Sequence, residues 1–155
     1  ERGRLVEAES VLETALEERG AKALFLYPTK ALAQDQVGAL RELSAATGRL
    51  RPPRFAIYDG DTPDAERRRI KAEPPDVLVT NPDMLHLGIL AHHAEWTPFL
   101  AALEWIVVDE LHVYRGIFGA HVHHILRRLP PAAGATCSCP SPGRGGLSAL
   151  ASQGA

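Results

Sequence analysis

Cysteine is nearly missing from this chain: two occur among 155 residues, Cys137 and Cys139. Neighbours two apart make a poor disulfide and an incomplete metal site. That excludes a disulfide scaffold and favours a reduced, cytoplasmic setting. Long apolar runs are lacking too. No segment approaches the roughly 20 residues that cross a bilayer, and no charged-then-apolar leader precedes the first residues, so neither a membrane span nor an export signal is expected. An excess of one charge is also absent, since 17 basic against 19 acidic side chains leave a net charge of −2. No global basic field therefore advertises a polyanion, although a local patch suffices to hold a few phosphates.

What is present suits one domain with a real core. Four short apolar runs, residues 23–27 (ALFLY), 55–58 (FAIY), 77–80 (VLVT) and 105–109 (WIVVD), are continuous rather than alternating. Continuous runs predict strands covered on both faces, as in a parallel sheet wrapped by helices. Helical patterns lie between them. Residues 6–19 are acidic and amphipathic, and residues 31–45 place Leu32, Val37, Leu40 and Leu43 on one side. Residues 117–129 bring Phe118, Val122, Ile125 and Leu129 to helical spacing. Thr62-Pro63-Asp64 and Asn81-Pro82-Asp83 each put a capping side chain before a proline at the first helical position. The repeated order of strand, turn and helix predicts a doubly wound α/β layer.

Residues that carry chemistry collect where the runs end. After the first, Tyr27-Pro28-Thr29-Lys30-Ala31-Leu32-Ala33-Gln34-Asp35-Gln36 turns into a helix. Unpaired backbone N–H groups and a lysine then point one way, which suits a phosphate, although an ordinary capped turn has the same pattern. After the second, Tyr58-Asp59-Gly60-Asp61-Thr62-Pro63 precedes Arg67, Arg68 and Arg69. The glycine admits close backbone approach, while the arginines read either as phosphate grips or as a solvated helix face. After the third, Thr80-Asn81-Pro82-Asp83-Met84-Leu85-His86 repeats the strand-to-helix turn. Three helix starts on one sheet edge could line a track for a nucleic-acid backbone without reading its bases.

The fourth run ends in Asp109-Glu110-Leu111-His112, followed by Tyr114-Arg115-Gly116. A buried strand thus delivers adjacent carboxylates to its carboxyl end, where ligands bind in open α/β sheets. Two ionised acids there repel unless a cation or a set of donors offsets the cost. The natural occupant is a hydrated Mg²⁺ carried by a nucleotide triphosphate. His112, His121, His123 and His124 invite a metal reading, but no cysteine or further acid completes a shell, so they are read as a helix face.

These four stretches, in this order, resemble the first RecA-like domain of superfamily 2 DEAD/DEAH-box helicases, a P-loop NTPase fold. Residues 27–36 look like motif Ia, 80–86 like motif Ib and 109–112 like motif II. The wording is similar, more narrowly, to RecQ-like 3′–5′ DNA helicases with a C-terminal cysteine-rich metal-binding domain. The resemblance covers roughly residues 11 to 129. It implies ATP and Mg²⁺ as cofactors and nucleic acid, single-stranded DNA above all, as partner. It implies that Asp109 holds Mg²⁺ through water, that Glu110 activates the attacking water and that His112 couples the two sites. By the same resemblance Thr29, Lys30, Gln34, Gly60, Thr62, Asn81, Asp83 and Met84 lie against the nucleic acid.

The departures shape the expectation. No Gly-x-x-x-x-Gly-Lys-[Ser/Thr] loop occurs, and no Ser-Ala-Thr motif follows the acidic box; Ser44-Ala45-Ala46-Thr47 has an extra alanine and precedes it. Nothing corresponds to a second RecA-like domain. From Pro130 onward four prolines and five glycines accompany a single charge, Arg144, with no valine, isoleucine or aromatic residue. That segment is expected to be disordered and to build no strand. The chain then reads as residues 1–129 of a partial helicase ATP-binding domain and a non-family tail, 130–155. It is expected to be a truncated or frame-shifted product, inactive alone. The alternatives are a non-catalytic nucleic-acid-binding module, part of another superfamily 2 translocase, or an unfolded remnant.

Overall fold

The four apolar runs lie side by side in one sheet. A computed structural model of the chain describes residues 20–46, 52–129, 136–137 and 148–150. In it β1 (Lys22–Leu26), β2 (Phe55–Ile57), β3 (Val77–Thr80) and β4 (Leu103–Val108) pair in parallel in the order β2-β3-β1-β4. β1 is central, with Leu26 opposite Thr80 on one side and Val108 on the other. The helices are α1 (Lys30–Ala46), α2 (Asp64–Ala72), α3 (Pro82–Met84), α4 (Thr97–Ala101) and α5 (Gly116–Leu126). α3 runs on through a π-helical turn, Leu85–Ile89, and a 3₁₀ turn, Leu90–His92.

Strand alternation decides which residues meet which layer. Ala23, Phe25, Tyr27, Val77 and Val79 face α1, which offers Ala33, Val37 and Leu40 at helical spacing. Leu32 is half-buried against the same cluster. Leu24, Leu26, Leu78, Ile106 and Val108 face the other way, onto Leu85, Ile89, Trp96, Phe99 and Ile125. Both faces of the sheet are covered, which is why its strands read as continuous apolar runs. Trp96 is fully buried, edge-on to Tyr58 at 4.8 Å, and its indole N–H donates to the Gly88 carbonyl at 3.2 Å.

Three expectations need correction or fall elsewhere. Thr62 does not cap α2, which begins at Asp64 behind Pro63; its hydroxyl turns back to Asp59 instead. Phe118 is 42% exposed rather than buried, because it stacks on Tyr114 outside the core, while Val122, Ile125 and Leu129 are buried as expected. The segment after Leu129 does contain strands: β5 (Thr136–Cys137) and β6 (Ser148–Leu150) extend the sheet beyond β4. Ladder bonds use only backbone N–H and C=O groups, so Ala149 and Leu150 pair with Ile106 and Val107 without strand-forming side chains. The remainder of that segment, the first predicted helix at 6–19 and the side chain of Leu43 lie outside the described residues.

At the opposite edge of the sheet Asp76 ties three strand starts together. Its carboxylate accepts from Lys22 Nζ at 2.8 Å and from the Arg54 backbone N–H at 2.9 Å, and its carbonyl accepts from Ala23 N at 2.9 Å. Burial pushes the carboxyl up, but the Lys22 and Arg54 bonds outweigh it and hold the value below the ordinary 3.8. The stabilisation is therefore fully present above the unfolded-state value and is lost as pH falls through the lower folded one. Asp76→Asn should cost about 1–2 kcal/mol at neutral pH. In urea titrations across pH the difference from wild type should vanish below the folded-state value.

Candidate nucleotide and nucleic-acid site

Parallel pairing sends all four carboxyl ends to one edge. In space the turns follow the strands, not the sequence: the Gly60 loop after β2, Asn81 after β3, Thr29 and Lys30 after β1, Asp109 and Glu110 after β4. At about 4.8 Å per strand the first and last of these ends are about 14 Å apart. Backbone bonds continue past each strand and hold the turns in line. Tyr58 N–H donates to Val79 O at 2.8 Å, Tyr27 N–H to Thr80 O at 3.0 Å and Asp109 N–H to Leu26 O at 3.1 Å.

At the acidic end, Asp109 and Glu110 are both half-buried. Asp109 Oδ1 accepts the backbone N–H of Glu110 at 2.9 Å. Glu110 sits at φ +52°, the left-handed region that side chains with a Cβ avoid at a cost of roughly 1–2 kcal/mol. Its carboxylate meets His112 Nδ1 at 3.0 Å, and His112 is exposed. Tyr114 closes the group. Its ring stacks on Phe118 at 5.6 Å, and its hydroxyl is buried without a hydrogen-bond partner among the described residues. Burial, and then the charges of Asp109 and Glu110, push that phenol up to about 12. Gly119 lets the next helix pack here, since a Cβ would stand 2.2 Å from the Tyr114 carbonyl oxygen.

Along the rest of the edge, Thr29 caps α1, its Oγ1 accepting the Leu32 N–H at 3.3 Å. Exposed Lys30 reaches the neighbouring turn and donates to Asp61 Oδ2 at 2.6 Å, a bond that raises the lysine above its ordinary value. Asn81 caps α3, its Oδ1 accepting the Met84 N–H at 2.9 Å. Gln34, Gly60 and Asp83 are exposed, and Met84 is half-buried. Thr62 offers no free hydroxyl, since Oγ1 accepts from Asp59 N at 2.9 Å and donates to Asp59 Oδ1 at 3.0 Å.

Three residues at this edge have roles that their place in the sequence does not give. Arg67 clips the Gly60 loop, donating to the carbonyls of Thr62 at 2.8 Å, Asp59 at 2.9 Å and Gly60 at 3.1 Å, with its guanidinium over the Tyr58 ring. Asp61 holds Lys30, and Tyr114 flanks the acids. In the sequence Arg67 stands only within an arginine run, and Tyr114 only after the acidic box. Replacing Tyr114 by Phe removes a buried hydroxyl that has no partner among the described residues. Thermal unfolding should show stability unchanged or up to about 1 kcal/mol higher, and a loss of that size would contradict the assignment.

Comparison with known proteins agrees with this geometry. Residues 7–149 match the family model of the DEAD/DEAH box helicase. The uncharacterized ATP-dependent helicase YprA of Bacillus subtilis is 45% identical over 119 residues, covering 77% of this chain and 16% of that protein. ATP-dependent helicase HRQ1 of Saccharomyces cerevisiae is 42% identical over 120 residues, covering 77% of this chain and 11% of that one. Among solved structures, the DUF1998 helicase MrfA bound to DNA and AMPPNP superposes with a TM-score of 0.69 at 44% identity, over 77% of this chain and 16% of that chain. The helicase Lhr of Mycobacterium smegmatis, bound to ssDNA and AMP-PNP, gives 0.60 at 35% identity, over 72% and 15%. The chain thus spans less than a fifth of each of these relatives. The parallel α/β sheet is the helicase RecA-like fold, and the chain belongs to the DEAD/DEAH box helicase family.

Proposed function

We propose that this chain carries the acid pair and the backbone-binding edge of an ATP-dependent DNA helicase. We place it in the RecQ-like subgroup whose members end in a cysteine-rich metal-binding domain. The observation that carries the reading is the spatial order of the four turns. Three helix starts with exposed Thr29, Lys30 and Gly60 run along one edge and finish beside Asp109 and Glu110. Such an edge suits a single strand of DNA held by its phosphates, with Gln34, Asn81, Asp83 and Met84 beside it and Thr62 shaping the loop. The similarity to helicases solved with DNA and with AMPPNP supports the same two ligands here.

Among the described residues no three His, Cys, Asp or Glu side chains gather to hold an ion by themselves. Mg²⁺ arriving with a triphosphate asks for less, one or two carboxylates with retained waters. Asp109 beside Glu110 fits that donor set. Bound ATP–Mg²⁺ would supply the phosphoryl group and the charge that neutralises its transfer. Asp109 would hold that ion through its waters, and the Glu110 carboxylate would take a proton from the attacking water. His112, on Glu110 Oε2 at 3.0 Å, passes a change at that carboxylate toward the exposed edge. The setting we infer is cytoplasmic.

These 155 residues contain no Gly-x-x-x-x-Gly-Lys-[Ser/Thr] loop to cradle β- and γ-phosphates. The chain as given should therefore bind DNA without hydrolysing ATP. Fluorescence anisotropy with labelled oligo-dT across a salt series tests the first half. Affinity should fall with salt at a slope of about 0.7 per phosphate contacted, and Lys30→Ala should reduce the slope by about that amount. No binding at low salt would overturn the reading. ATP turnover with and without DNA, on wild type and Glu110→Gln, tests the second half; turnover that the substitution abolishes would show the chain to be active.

A further inference from the structure

The three arginines of α2 have three different fates. Arg67 is consumed by the carbonyls of its own loop, and Arg69 pairs with Glu66 at 3.8 Å. Arg68 is exposed and has neither hydrogen bond nor ion pair among the described residues. It faces a cleft of about 430 Å³ between α2 and the helical run that starts at Pro82. The opposite wall is apolar: Leu87, 63% exposed, stands one turn beyond half-buried Met84. Lys71 and His92 complete the far end, where Lys71 also pairs with Glu95. At the near end the cleft meets Tyr58, Asp64 and Arg67, hence the Gly60 loop itself.

We propose that this cleft is a second nucleic-acid subsite, which takes one or two nucleotides of a single strand as it leaves the strand-end track at Gly60. The proposal rests on the DNA-binding reading above. The volume lies within the roughly 300–1,000 Å³ of small-ligand sites. Asp64 to Lys71 along α2 is about 10 Å at 1.5 Å per residue, a length of nucleotide scale. One wall bears the cations Arg67, Arg68 and Lys71 with the acid Asp64; Arg67 is held by its loop and Lys71 by Glu95, which leaves Arg68 as the cation open to a phosphate. The other bears exposed Leu87. A free anion has no use for the apolar wall, and an apolar partner segment has no use for an unpaired arginine. A nucleotide uses both: its phosphate at Arg68, its base against Leu87 and Met84. Arg67 couples the two sites, because it lines the cleft while holding the carbonyls of the loop that the strand must pass.

The test is oligo-dT binding by anisotropy over a salt series, on this chain and on Arg68→Ala, Leu87→Ala, Arg69→Ala and Lys30→Ala variants. Arg68 is exposed and has no partner among the described residues, so its removal should leave the fold intact. Arg68→Ala should weaken binding severalfold and flatten the salt slope by about 0.7, the share of one phosphate. Leu87→Ala should weaken binding severalfold at unchanged slope, and Arg69→Ala should change neither. If Lys30→Ala flattens the slope while Arg68→Ala and Leu87→Ala match wild type, the cleft is refuted and the track reading stands. If Arg68→Ala and Arg69→Ala act equally, the effect is general charge and the cleft is refuted again. If wild type does not bind, both readings fall together.

Discussion

Every feature of the site depends on β1 being hydrogen-bonded in parallel on both sides. The register that sets Leu26 between Thr80 and Val108 also puts the Asp109 N–H on the Leu26 carbonyl and the Tyr27 N–H on the Thr80 carbonyl. A slip of one residue in either neighbour would turn its apolar set inside out. It would also carry Asp109 or Asn81 off the line of turns. Core packing and site geometry are therefore one constraint, and the buried alternation of Leu24, Leu26, Ala23 and Phe25 enforces both.

Within that frame the turns are held by local bonds more than by charges between them. Asp59, Thr62 and Arg67 form a closed set in which the loop's own carbonyls and hydroxyl are satisfied, and Arg67 is anchored on the buried ring of Tyr58. Lys30 and Asp61 meet across the gap to the next turn, but both are exposed and screened by solvent. A pair of that kind exchanges readily with another anion. The edge thus combines a rigid loop with a lysine held only by an exposed pair, a combination that suits the proposed phosphate track.

The strands and the acidic box were legible because their signals are local: continuous apolar runs, and Asp-Glu at the end of one of them. The edge itself was legible from repetition of the strand-to-helix turn. The order of the turns was not, because Gly60, Asn81, Thr29 and Asp109 become neighbours only through crossovers between strands that are distant in sequence. Thr62 misled for a related reason. Its pattern fits an N-cap, yet the hydroxyl found Asp59 within its own loop before it could reach α2. Phe118 fits a helix stripe, yet stacking on Tyr114 drew it out of the core. The strands after Leu129 carry no side-chain signature at all, since backbone bonds alone pair β6 with β4 and β5 with β6.

Adjacent carboxylates at a strand end set an electrostatic problem, and the local backbone solves most of it. Were Glu110 in an extended conformation, its side chain would alternate to the other face of the strand and leave Asp109 behind. The left-handed turn at φ +52° instead lets Asp109 Oδ1 take the Glu110 N–H while Glu110 takes the His112 ring. Each acid thus has a donor of its own, and the two need not share one. The strain of that turn is the kind that persists only where surrounding structure over-determines it. Here the Asp109 N–H bond to β1 fixes one side, and the packing of Tyr114 against Gly119 fixes the other. Tyr114 lies near enough for both carboxylates to act on its phenol, and burial together with those charges keeps the proton on its hydroxyl.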